Sequence, residues 1–136
     1  MQISPYIFFN GTCAEAVKAY EKIFGAKVVM MMRNKDAPTP EAKMPGGDDM
    51  VMHVRLDLGG MTLLASDCPP NMYDKPQGFR VMYEVKSAAD GQRIFDALKE
   101  KGTVQLEYQK TFWAHRFGMC TDKFGIPWMI NCEKES

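Results

Sequence analysis

The strongest constraint on this chain is an order of elements that occurs twice. Ile3 to Phe9 is apolar and aromatic, is closed by Asn10-Gly11, and reads as a buried strand, with Pro5 marking an edge or a start. Thr12 and Glu15 have the spacing of a capping box, and Cys13, Ala16, Val17, Tyr20 and Phe24 then recur at helical spacing up to Gly25. Ala26 to Met32 reads as a strand. Met50 to Leu58 alternates, with Met52, Val54, Leu56 and Leu58 on one face and His53, Arg55 and Asp57 on the other. Gly59-Gly60 makes a two-residue hairpin into Met61–Ser66. After a proline-rich stretch the order returns. Phe79 to Lys86 is a strand, Ser87 and Asp90 open a helix that Gly102 ends, and Thr103–Tyr108, Trp113–Thr121 and Pro127–Cys132 are strands. Sliding the chain by 77 residues places Gly25 on Gly102, Val17 on Ile94 and Tyr6 on Tyr83. The expected fold is therefore α+β, two βαβββ modules at about 1–66 and 79–136 joined by a linker at 67–78. Helices on one sheet face would leave a concave cleft for a ligand on the other.

Two segments fall outside this order. Arg33 to Asp49 holds Pro38, Pro40, Pro45 and Gly46-Gly47, and is expected to form no regular element and to move in the free protein, as a lid would. Asp67 to Gly78 carries three prolines and reads as the linker.

Composition narrows the partners. The 136 residues are 46% apolar and 25% charged, with 17 basic and 17 acidic side chains, so no basic excess points to nucleic acid. The longest apolar run, Val28 to Met32, is too short to cross a bilayer, and no secretory leader is recognisable. The expectation is a cytoplasmic protein that engages neither nucleic acid nor membrane. Cys13, Cys68, Cys120 and Cys132 lack any C-x-x-C spacing and read as reduced, buried thiols. No glycine-rich turn followed by an acidic residue offers a nucleoside cofactor a seat.

Several stretches resemble a known group. They are Ser4–Phe9 with Gly11 and Cys13, His53 with Gly59-Gly60 and Ala65-Ser66-Asp67, Thr111–His115, and Thr121–Asn131. Together they resemble the PhnB-like family of the vicinal oxygen chelate superfamily, which includes glyoxalase I, extradiol dioxygenases, and the fosfomycin- and bleomycin-resistance proteins. The resemblance implies a homodimer whose clefts are completed by two chains. It also implies four metal-ligand positions, His and Glu in the metal enzymes, which fall here on Pro5, Ala65, Arg80 and Met129. Pro, Ala and Met are not ordinary divalent ligands and Arg is a cation. No cofactor is therefore expected, and the favoured reading is metal-free binding of a small organic molecule. The alternative is a superfamily enzyme (lyase, isomerase or transferase type) with no metal or with shifted ligands such as His53, Asp67 and His115.

The candidate ligand-binding residues are His53, Arg55, Asp67, Arg80, Trp113 and His115. His53 and Arg55 lie on the polar face of their strand, and an imidazole titrates near neutral pH. Asp67 either caps the linker's amides or meets His53 across the sheet. Arg80, on the same face of its strand as Glu84, suits a carboxylate, phosphate or phosphonate, or else enters a cross-strand ion pair. Trp113 and His115 share a face if their strand is regular, where the indole could stack on a planar ligand.

Overall fold

The computed structural model describes residues 1–135. It divides into two compact units, Met1–Asp74 and a second that begins at Lys75. In the first, β1 (Tyr6–Phe9), α1 (Cys13–Phe24), β2 (Lys27–Arg33), β3 (Val51–Asp57) and β4 (Thr62–Asp67) form a sheet of order β1-β4-β3-β2 with one helix. In the second, β5 (Val81–Glu84), α2 (Ala88–Lys99), β6 (Thr103–Gln109), β7 (Arg116–Thr121) and β8 (Pro127–Cys132) repeat the plan in the order β5-β8-β7-β6. In each sheet the first strand runs parallel to the last, and the other pairings are antiparallel. This is the α+β, twice-repeated arrangement that the sequence predicts.

The first core is built from alternate strand residues and one helix face. Ile7, Phe9, Val17, Tyr20, Val54 and Leu56 are each no more than 4% exposed. Full burial of such side chains contributes ~1.5–3 kcal/mol each. In the second unit Ile94, Phe95, Leu98, Trp128 and Ile130 do the same work. Asp122 organises the β7–β8 turn, as the sequence suggests. It accepts from the amides of Phe124 and Ile126 and from the Trp128 indole, each at 2.9 Å.

Several sequence expectations need correction. Thr12 makes no side-chain cap for α1. The carboxylate of Asp67 takes that role from the end of β4, accepting from Cys13 N at 2.9 Å. α2 is capped locally, as expected, by Ser87 Oγ, which accepts from Asp90 N at 3.1 Å. Gly102 is not the left-handed stop of α2. Lys101 takes that conformation at φ 59°, in a turn whose Gly102 N–H donates to Lys99 O at 2.8 Å. Gly102 is a glycine for another reason, because a Cβ there would lie 2.1 Å from the Thr121 carbonyl.

The alternation of β3 breaks at its start. Met32 pairs with His53 but Arg33 pairs with Val51, so a bulge puts Val51 rather than Met52 in the core. β7 starts at Arg116, not Trp113, because Thr111 and Ala114 close a turn on each other first.

The 33–49 segment does hold local structure. It contains two short 3₁₀ turns, Asn34–Asp36 and Pro40–Ala42, the first of which opens on the fully buried Asn34. Asn34 Nδ2 donates to the carbonyls of Met44 and Gly47, and Oδ1 accepts from Met44 N. The Gly59-Gly60 hairpin is present, with Leu58 N donating to Met61 O at 2.8 Å.

Candidate functional site on the first sheet

One face of the first sheet is packed under α1. On the other, the register sets Tyr6 beside Leu64, Leu64 beside Arg55, Arg55 beside Met30, and His53 beside Met32. Side chains that pair across strands share a face. The open face therefore carries Tyr6, Phe8, Met30 and Met32 around His53. These four are 39%, 52%, 39% and 37% exposed, so the face is aromatic and thioether-rich.

Tyr6 reaches across β4 to His53. Its hydroxyl lies 3.0 Å from Nδ1, with the rings stacked at 5.6 Å and 27°. When Tyr6 donates, the imidazole proton resides on Nε2. Among the described residues nothing engages Nε2. The arrangement is a half-buried imidazole held in one orientation by a phenol, with one nitrogen left to act. Arg55 is exposed nearby, 3.5 Å from Thr62 Oγ1. Tyr6 is the contributor that the strand pattern did not single out, although its alternation with the buried Ile7 and Phe9 placed it on the open side.

The other candidates separate from this pair. Asp67 is 3% exposed, and its two carboxylate oxygens accept from Cys13 N and Val51 N, each at 2.9 Å. It serves the backbone of α1 and β3, not the linker's amides and not His53.

Arg80, Trp113 and His115 belong to the second unit. Arg80 Nη1 donates to the carbonyls of Cys120 (3.1 Å) and Trp128 (3.4 Å), whereas Glu84 accepts from Asn131 Nδ2 at 2.8 Å, so among the described residues the alternative of a cross-strand ion pair is not realised. Trp113, 53% exposed, packs edge-on against Phe117 at 5.5 Å. His115 lies outside a regular strand, its Nε2 3.9 Å from a carboxylate oxygen of Glu135. Burial pushes the Cys13 thiol up to about 12, helped by the Asp67 charge, and pushes Cys120 up to about 11. Neither supplies a thiolate near neutral pH.

Cross-strand pairing puts Tyr6 opposite Leu64 and Met82 opposite Met129. Of the counted positions, Ala65 is 1% exposed on the core side of β4, and Met129 pairs with Met82. No group of three or more His, Cys, Asp or Glu that could hold a metal gathers among the described residues.

A family model described as 3-demethylubiquinone-9 3-methyltransferase matches residues 1–131. The chain belongs to this PhnB-like family. The family's fold is of the glyoxalase and fosfomycin-resistance type. Protein PA1353 of Pseudomonas aeruginosa is 41% identical, with a TM-score of 0.90 and 99% of each chain covered. Protein YjdN of Escherichia coli (strain K12) is 34% identical, covering 99% of this chain and 97% of that protein. A Bacillus cereus structure named as a putative 3-demethylubiquinone-9 3-methyltransferase, PhnB protein, is 20% identical at a TM-score of 0.80, with coverage of 97% and 99%, a likeness of fold alone. No helix among the described residues is long and apolar enough to cross a membrane.

Proposed function

We propose that the protein binds a small organic molecule, without a metal, on the open face of its first sheet. The observation that carries this reading is His53, oriented by Tyr6 and surrounded by exposed Phe8, Met30 and Met32. Ligand sites commonly combine an apolar lining with a few placed polar groups. Nε2 of His53 donates to an acceptor on the ligand, Phe8 stacks on a planar part, and Met30 and Met32 adapt to its outline. Arg55 favours a ligand with a carboxylate or phosphate at its rim. The working form is a homodimer.

The family's description names a methyl transfer. The two strand-to-helix turns do not fit a nucleoside methyl donor, since Asp67 already occupies Cys13 N and Ser87 occupies Asp90 N. Methyl transfer is therefore not part of this reading.

Native mass spectrometry of the untagged protein in ammonium acetate tests the proposal. The expected spectrum shows a dimer with no divalent ion and an organic adduct that is lost in His53→Ala and weakened in Tyr6→Phe. One divalent ion per subunit would overturn it in favour of a metal enzyme.

A further inference from the structure

The second sheet has an open face of different chemistry. Trp128 and Ile130 of β8 are buried on the α2 side, and a Cβ at Gly118 would meet Phe95 of α2 at 2.7 Å. The intervening residues therefore lie on the opposite face. There the register sets Met82, Met129 and Met119 side by side across β5, β8 and β7. It sets Glu84, Asn131 and Phe117 in one flanking row, and Pro127 beside Thr121 in the other.

The two ends of this methionine row differ in charge. At the Pro127 end is a hollow of about 490 Å³ whose lining includes Lys75, Phe79, Arg80, Thr121, Pro127 and Met129. Arg80 is anchored there through Nη1 alone, on the carbonyls of Cys120 and Trp128. Among the described residues, neither Arg80 nor Lys75 has a carboxylate partner, so Nε and Nη2 of the guanidinium and the Lys75 ammonium keep their donors. A fixed guanidinium with spare donors suits a carboxylate or phosphate. At the other end Asn131 donates through Nδ2 to Glu84, but its Oδ1 is buried without a partner among the described residues. Such an oxygen is destabilising unless something donates to it. Trp113 flanks this end through Phe117.

We propose that this face binds an elongated organic anion whose far end carries an ammonium or amide donor. The anionic group sits on Arg80 and Lys75, the apolar body lies across Met82, Met129 and Met119, and the donor reaches the exposed Glu84 carboxylate. Pro127 and Asn131 are four strand residues apart, roughly 13 Å at ~3.3 Å per residue, which sets the ligand's length. The site lies wholly within the second unit and does not rest on the His53 reading.

The test uses the full chain with ¹³C-methyl methionine labelling and three probes, namely 10-aminodecanoate, decanoate and decylamine. The chain has 12 methionines. On adding 10-aminodecanoate, the methyl signals of Met82, Met119 and Met129 shift while those of the other methionines stay. Decanoate and decylamine each bind at least tenfold more weakly, and Glu84→Gln weakens 10-aminodecanoate by a similar factor. Lys75→Gln, which removes no hydrogen bond of the fold, weakens it several-fold, and His53→Ala leaves it unchanged. Shifts at other methionines, or no shift at all, would overturn the site. Equal binding of decanoate and 10-aminodecanoate would overturn the donor end.

Discussion

The two helices start in the same place of a repeated plan and are secured by different means. α2 is capped from within, by Ser87 at its own N-terminus. α1 is capped from afar, by Asp67, whose carboxylate also holds the first amide of β3. One buried acid thereby ties a helix, two strands and a hairpin into a unit. Repetition of architecture does not carry repetition of chemistry, because each copy needs only that the orphan amides of its helix find an acceptor.

Removing these caps separates the two arrangements most sharply. Asp67→Ala leaves two buried amides without acceptors and removes charge-assisted bonds, so a loss of about 3–5 kcal/mol is expected in urea unfolding. Ser87→Ala is expected to cost about 1 kcal/mol, and Thr12→Ala less than about 0.5 kcal/mol, since Thr12 donates no cap. Equal effects at Thr12 and Ser87 would break the comparison.

A second contrast lies in the helix faces. At Gly91 of α2 a Cβ would lie 2.0 Å from the Tyr108 hydroxyl, which donates to Ala88 O at 3.1 Å. Gly91→Ala is expected to cost about 1–3 kcal/mol despite the better helix former. The corresponding face of α1 carries a fully buried Ala16, where Ala16→Gly costs about 1 kcal/mol.

Smaller still is the difference between helix ends. Gly25 and Lys101 both have left-handed backbones, at φ 68° and 59°. Lys101→Gly is expected to stabilise by up to about 1 kcal/mol in thermal unfolding, and Gly25→Ala to destabilise by about the same amount.

The thiols give a pH signature shared unequally by the two units. In the folded state the thiols of Cys13 and Cys120 are held at about 12 and about 11, against an ordinary 9.0. The unfolded chain therefore releases these protons first, and stability falls as pH rises from about 9 towards 11–12, having been fully present below 9. Cys13→Ala is expected to flatten that fall when unfolding is followed between pH 8 and 11.

Elements with strong local pattern were legible in the sequence. Both helices, the Gly59-Gly60 hairpin and the Asp122 turn follow from apolar spacing and turn chemistry within a few residues. What escaped is set by distant contact. Asp67 and Cys13 are 54 positions apart, so a T-x-x-E spacing at Thr12 looked sufficient. The bulge before Val54 reflects pairing with β2, and the late start of β7 follows from a turn that Thr111 closes on Ala114. That His53 and Arg55 lie on the face of β3 away from Val54 and Leu56 was legible from alternation alone. Tyr6 as the holder of His53 was not, because the two meet only once β4 lies between their strands. The methionine row likewise exists only in the register of three strands.

Asn34 has a consequence for how chains of this kind change length. Its side chain closes residues 35–47 into a clasped ring, and the amides of Asn34 and Lys35 bond to the carbonyls of Met50 and Asp48. The ends of β2 and β3 are thus fixed by the clasp and not by the excursion beyond it. Residues added or removed around Pro38–Pro40 alter only the exposed arc, leaving the sheet's register untouched. An insertion there is a change of ornament, whereas one at Asn34 is a change of frame.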